Sequence, residues 1–392
     1  MTLPDNLPEK VLIADVNLCK DVISIHNDNL RIYIGHSNGY LSVFNQQNNQ
    51  KLLTISAHQD KSVLKILSTE INLFTQGRDN FIVEWEILEP FNLQIRKKVA
   101  CNSLSFSKFD LIHCEVSGYF LCFAQENSTE SVIFKNHLNV ETLFSPKNLD
   151  NELGMTFSTN FLFKKERSTK IPHAVIIYES GDIFIVSGPE ILYHISDWLK
   201  ISLMQIAVRQ TIERDSSSDK FSLVLTFGSA PIDEYVGTNS CDTLICIVLK
   251  KNYSKWSHKS IPVSSAFQLP VSCLSWYFKF DLPYLAVGTW SGKCYIFKLV
   301  NECKKLSLCL HQTLDICGSE GQPGSDLLGS WASTRIYEKR AGKNETSMDS
   351  LLTLHCVHWL TTDVRTLLIS SAQGNSSNDS GIVTVWKIQD SF

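Results

Sequence analysis

Four side chains early in the sequence have the types and spacing of a hydrogen-bonded relay: His58, Thr75, Asp79 and Trp85. An imidazole between a carboxylate and a hydroxyl can move protons or staple strands, because one ring nitrogen donates while the other accepts. Here the staple accounts for all four residues. Histidine links to the aspartate in a turn and to the hydroxyl, which in turn meets the indole N–H, so no polar group is left over. A catalytic reading lacks a nucleophile placed beside the pair. Other candidate chemistry is sparse. In His355-Cys356-Val357-His358, strand alternation puts His355 and Val357 on one face and Cys356 and His358 on the other, which is no ligand set. Cys241 and Cys246 lack the second CxxC pair of a structural zinc site. No P-loop, GxSxG, HExxH or GxGxxG occurs, so we assign no catalytic residue, metal or cofactor.

Composition narrows the function classes further. The chain has 392 residues, with 36 Lys+Arg against 40 Asp+Glu and a net charge of −4, so it lacks the field for non-specific grip on nucleic acid or an acidic membrane. Its short basic runs, Arg96-Lys97-Lys98 and Lys164-Lys165 with Arg167, are flanked by acids and read as solvated strand ends. With 43% hydrophobic residues and 21 Phe, the chain is expected to be ordered. No apolar stretch is long enough to span a bilayer, and Met1–Lys10 lacks a signal-peptide pattern, which predicts an intracellular protein. Its 12 cysteines, without CxxC spacing, are then reduced thiols.

The elements that must hold the relay follow from a repeat: a run of β-formers, a two-residue polar turn, and a second run with a large apolar residue five positions past the turn. The clear copies are 32–44, 73–87, 173–186, 284–297 and 367–388, with turns Asn38-Gly39, Asp79-Asn80, Ser180-Gly181, Ser291-Gly292 and Ser380-Gly381. Weaker copies, Thr129 to Phe134 and Thr243 to Val248, fit the same ruler, giving closing residues Phe44, Trp85, Phe134, Val186, Val248, Phe297 and Trp386. Spacings start near the ~40–45 residues of a four-stranded propeller blade and grow where loops intervene. The fold class is therefore all-β, a single seven-bladed WD-repeat β-propeller over 1–392. His58, Thr75, Asp79 and Trp85 form the structural tetrad of its second blade.

Trp386 falls on the third strand of the last blade six residues before Phe392, so the apolar run Val11–Ile13 is expected to supply the missing outer strand and close the ring. Ile212–Lys220 and Gly228–Cys241 read as surface loops of blade five. Residues 303–350, rich in Gly, Ser and charge, read as a flexible insertion between blades six and seven. Leu327, Leu328, Trp331 and Ile336 in it are a docking element or pack on their own blade.

Several stretches carry a narrower likeness. Leu73–Ile87 with its Gly77-Arg78-Asp79 turn, Cys101–Phe109, Leu153–Phe157 before His173–Val186, Tyr284–Phe297 and Gly381–Ile388 resemble the ASTRA-associated WD-repeat family, which includes the fungal ASTRA subunit and the animal guanine nucleotide-binding protein β-subunit-like protein. The resemblance implies a non-catalytic scaffold subunit of the ASTRA complex, linked to chromatin remodelling and to the stability and maturation of phosphatidylinositol-3-kinase-related kinases. Implied partners are ASTRA subunits, those kinases and a cochaperone, in the nucleus or also the cytoplasm, with no direct nucleic acid and no membrane. Two other classes compete: a propeller hydrolase such as a methylesterase, which needs a buried acid–base group in the funnel, and a ubiquitin-ligase substrate adaptor. The adaptor is disfavoured because no Arg lies two positions past an acidic residue after Trp85.

Overall fold

The computed structural model describes residues 10–13, 22–88, 91–104, 107–114, 118–146, 153–162, 165–166, 171–196, 203–210, 220–229, 244–252, 255–261, 271–277, 284–289, 293–302, 305–315, 353–361, 366–373 and 382–387. It is an all-β propeller. After Lys10–Ile13 (β1), strands Val22–Asn27 (β2), Arg31–His36 (β3), Tyr40–Asn45 (β4) and Lys51–Ser56 (β5) make one antiparallel meander. The next comprises Val63–Ser68 (β6), Asn72–Gly77 (β7), Phe81–Leu88 (β8) and Asn92–Ala100 (β9). The third has Asp110–Cys114 (β10), Gly118–Ala124 (β11), Val132–Asn136 (β12) and Glu141–Phe144 (β13), and the fourth begins with Thr156–Phe161 (β14). The short Lys165–Glu166 (β15) returns to add a parallel edge to β10 of the third. The fourth continues with His173–Tyr178 (β16), Ile183–Ser187 (β17) and Glu190–Ile195 (β18). Leu203–Gln210 (β19), Lys220–Ser229 (β20), Leu244–Asn252 (β21) and Lys255–Ile261 (β22) follow, then Val271–Trp276 (β23), Tyr284–Thr289 (β24), Lys293–Glu302 (β25) and Lys305–Asp315 (β26). The last sheet joins Thr353–Thr361 (β27), Thr366–Gln373 (β28) and Ile382–Lys387 (β29) to β1, which lies antiparallel to β29 with Lys10 opposite Val385.

The first strands of successive sheets abut: β2 meets β6, β10 meets β14, β14 meets β19, β19 meets β23, β23 meets β27, and β27 returns to β2. A lone meander cannot cover both its faces, so the core lies between sheets. Tyr33, Leu41 and Val43 pack against Val63, Leu73 and Trp85 between the first two, and Phe74, Ile82 and Val99 against Phe109, Leu121 and Phe123 between the next two. Exposure rises toward the outer strand within a sheet: β3 is buried but for Arg31, whereas β5 of the same sheet is exposed or half-buried. This is why the second strands read as continuous apolar runs.

Two bulges recur. In six sheets the innermost pair slips by one residue near the start of its first strand, making Ile23, Leu64, Phe157, Met204, Ser272 and His355 the extra residues of bulges. In four, the outer strand slips opposite the closing residue, leaving Leu52, Arg96, Leu192 and His311. A bulge re-aims a side chain and breaks strict alternation. The bulge of β27 falls at His355, the first residue of His355-Cys356-Val357-His358.

The polar turns behave as their residues require. Gly39, Asn80 and Gly181 have φ of 84°, 66° and 88°, and a Cβ on Gly39 would collide with the His58 carbonyl. Closing residues Phe44, Trp85, Phe134, Val186, Val248 and Phe297 are all buried; the side chain of Trp386 lies outside the described residues. Three expectations need correction. Blade three has no two-residue hairpin at Thr129: β11 and β12 are joined by a longer loop in which Gln125 N donates to Ser131 O at 2.8 Å. The segment read as an insertion from residue 303 opens with an ordinary outer strand, β26, paired along β25 from Lys293↔Asp315 to Glu302↔Lys305. Its alternating Leu306, Leu308 and Leu310 carried that signal. Likewise Lys220, Gly228 and Ser229 belong to β20 and not to loops. The remainder, 316–350 with Leu327, Leu328, Trp331 and Ile336, and loop residues 211–219 and 230–241, lie outside the described residues.

Candidate functional site

The second sheet carries polar constellations at both ends. At the end formed by the β7–β8 turn, His58 enters from the loop after β5. Its Nδ1 lies 2.9 Å from Asp79 Oδ1, its Nε2 lies 2.9 Å from Thr75 Oγ1, and Trp85 Nε1 donates to the same hydroxyl at 2.9 Å. Gly77 leaves the space, since a Cβ there would collide with the imidazole. Burial would raise the Asp79 carboxyl, but the hydrogen bond and charge of His58, with the Phe81 amide, hold it below its ordinary value. The hydroxyl–imidazole–carboxylate order is that of a hydrolytic triad, yet Thr75 is fully buried and the imidazole side chain is 0% exposed. No substrate atom reaches the hydroxyl. Other sheets put apolar pairs at the positions of Thr75 and Trp85: Phe44 accompanies Ile34, with a buried His36–Ser42 hydrogen bond of 3.0 Å beside them, and Phe297 accompanies Val287, all buried.

Nucleophilic thiols are equally remote. Burial, together with the Asp79 charge, pushes the Cys101 thiol up to about 12, and burial raises Cys122 and Cys294 well above the ordinary range. Since the thiolate is the nucleophile, these three are inert at neutral pH. Among the described residues no cluster of three His, Cys, Asp or Glu could hold a metal ion.

At the other end of β7 a pocket of about 390 Å³ opens between the second and third sheets, lined by Ile71, Asn72, Glu84, Arg96, Lys97, Gly118, Tyr119, His137 and Asn139. Its floor is a buried carboxylate. Asn72 Nδ2 donates to Glu84 Oε1 at 3.1 Å, Tyr119 OH donates to Oε2 at 2.8 Å, and Arg96 Nη1 stands 3.7 Å from Oε1. Burial, reinforced by the hydrogen bond and charge of Glu84, raises the Tyr119 phenol, which therefore stays a donor. Lys97 pairs across the ladder with Glu84, and Arg96 is the unpaired residue of the β9 bulge, so two consecutive basic side chains serve one pocket. Burial and the neighbouring Lys135 ammonium lower the Lys97 pKa, partly offset by Glu84 and Glu141. Lys135 is itself bridged to Glu141.

Sequence reasoning missed this pocket and placed Arg96-Lys97-Lys98 at a solvated strand end, whereas the run sits inside β9. A signal was present: Glu84 shares the face of Ile82 in a buried strand, where a carboxylate demands partners.

Neither a protein-family model nor a curated protein matches the chain. Solved structures do. Chaetomium thermophilum Raptor aligns with a TM-score of 0.60 and 9% identity over 98% of this chain, which spans 29% of that one. U3-55K aligns at 0.58 and 11% identity over 97% of this chain and 100% of its own, and Saccharomyces cerevisiae Sqt1 at 0.56 and 10% over 99% and 100%. The fold is a β-propeller. At such low identities the likeness concerns architecture, and the function of a propeller resides in what its faces carry.

Proposed function

We propose that the chain is a non-catalytic scaffold, a single seven-bladed WD-repeat propeller whose faces hold protein partners. The observation that carries this reading is the sealed relay: Thr75, His58 and Asp79 have triad geometry but spend every hydrogen bond inside the blade. What remains accessible is a wide surface of turns and loops on a rigid frame, the usual place for recognition. We read the seven sheets as seven blades, because first strands meet at six of the seven steps round the ring and the second and third sheets share the core around Phe74 and Phe109, and β1 as the strand that completes the last.

The likeness of Leu73–Ile87, Cys101–Phe109, Leu153–Phe157, Tyr284–Phe297 and Gly381–Ile388 to the ASTRA-associated family supports a finer assignment. On it, the scaffold serves in the nucleus, or also the cytoplasm, as an ASTRA subunit. It acts with a cochaperone on phosphatidylinositol-3-kinase-related kinases and contacts neither membrane nor nucleic acid directly. Mass spectrometry of proteins co-purified with the tagged full-length chain tests both levels. Recovery of those kinases and the cochaperone supports the finer reading. Recovery of other stoichiometric partners leaves the scaffold and removes the ASTRA assignment, and a monomeric chain with esterase activity overturns both.

A further inference from the structure

Two features of the pocket between the second and third sheets have no use inside the propeller. Asn72 is 3% exposed and gives its amide N–H to Glu84, which leaves Oδ1 buried with no hydrogen-bond donor. A buried acceptor without a donor is costly, and a ligand that brings an N–H removes the cost. The second is the β9 bulge. It sets Arg96, with a side chain 56% exposed, beside Lys97 at the pocket, too far from Glu84 at 3.7 Å for a close hydrogen-bonded pair. Glu84 itself is served by Asn72 and Tyr119 and faces Lys97 across the ladder, so the site does not call for another cation. Ile71, which lines it, is 66% exposed, and Leu138 and Val140, the chain neighbours of the lining residue Asn139, are 67% and 60% exposed. Scattered apolar residues mean little, but three on the turns that frame one basic pocket make an amphipathic patch.

We propose that this pocket docks an extended acidic segment of a partner protein: a carboxylate side chain seats at Arg96 and Lys97, its apolar neighbours cover Ile71, Leu138 and Val140, and a backbone N–H meets Asn72 Oδ1. The proposal rests on the scaffold reading and names the surface and the partner chemistry. Charge complementarity selects the carboxylate, and the apolar rim selects a peptide over a nucleic acid, for which a chain of net charge −4 has no surrounding field. Lys97 fits the role, since its ammonium is held next to that of Lys135 and a partner anion relieves the repulsion.

The test uses the full-length tagged chain purified with its partners and treated with a carbodiimide, which joins a lysine amine directly to a carboxylate in contact with it. The expected product links Lys97 to an Asp or Glu flanked by apolar residues in a partner. Arg96→Glu and, separately, Ile71→Ser should reduce recovery of that partner at least tenfold at an unchanged melting temperature. Lys98→Glu, whose side chain lies over the Phe81 ring, should not. Full recovery by Arg96→Glu, with cross-links confined to other parts of the chain, overturns the site and leaves the scaffold standing. Cross-linking of Lys97 to RNA overturns the peptide assignment. A chain that captures no partner overturns the scaffold reading and the site with it.

Discussion

Replacing Thr75 by valine keeps the shape of a fully buried side chain and deletes one hydroxyl, on which two hydrogen bonds converge. With His58 Nδ1–H donating to Asp79, the hydroxyl donates to His58 Nε2 and accepts from Trp85 Nε1–H, each over 2.9 Å. Thr75→Val strands both groups where water does not reach, at about 1–3 kcal/mol per buried unsatisfied group, so we expect a loss of about 2–6 kcal/mol. Trp85→Phe removes one of the stranded groups, and the pair Thr75→Val with Trp85→Phe reproduces the apolar solution of Phe44 with Ile34 and Phe297 with Val287. The double variant should therefore lose less than the sum of the singles, with a coupling of about 1–2 kcal/mol. Urea unfolding followed by far-ultraviolet circular dichroism measures all four corners of the cycle. A Thr75→Val loss within about 0.5 kcal/mol, the range of an ordinary surface change, or strict additivity refutes the argument that these bonds hold the blade.

Asp79 adds a pH dependence. Its folded carboxyl is held below the ordinary 3.8, so its stabilisation is complete above that value and is lost as pH falls through the lower folded pKa. The stability gap between the parent and Asp79→Asn should accordingly be constant near neutrality and close in strong acid, as read from urea midpoints; a gap that grows on acidification contradicts the sign. Deleting residues 1–16 removes β1 and exposes the β29 edge, so thermal melting should fall sharply and aggregation rise, whereas an unchanged melt sinks the closure reading. Native Cys101, Cys122 and Cys294 should resist iodoacetamide at mildly alkaline pH and react fully in denaturant, by peptide mapping; rapid native labelling would contradict their raised pKa values.

How far the fold could be read in advance depended on where local chemistry decides the outcome. Turns at Gly39, Asn80 and Gly181 were legible because positive φ restricts residue choice, and the closing positions because the apolar side chain is buried at each of the six described ones. Blade three hid its turn because Gln125–Ser131 closes through backbone hydrogen bonds that many residues can make. The pocket was illegible for a different reason. Asn72, Glu84, Arg96 and Tyr119 come from three strands of one sheet and one of the next, and a bulge invisible in the sequence places Arg96 there. Spacing along the chain records register within a hairpin, not the contact of one sheet with its neighbour.

The pairing of β1 with β29 sets a schedule for biosynthesis. Ile13 sits opposite Ile382, so strands far apart in the order of synthesis share one ladder. At ~5–20 residues per second the ribosome needs roughly 20–70 s to make the intervening chain, during which β1 has no partner. The last sheet therefore cannot close until residue 387 has been made, while earlier meanders, whose strands are near neighbours in sequence, can form as they emerge. A chain arrested before residue 382 leaves β1 and the edge of β28 that β29 covers open together, two unpaired edges that closure removes in a single step.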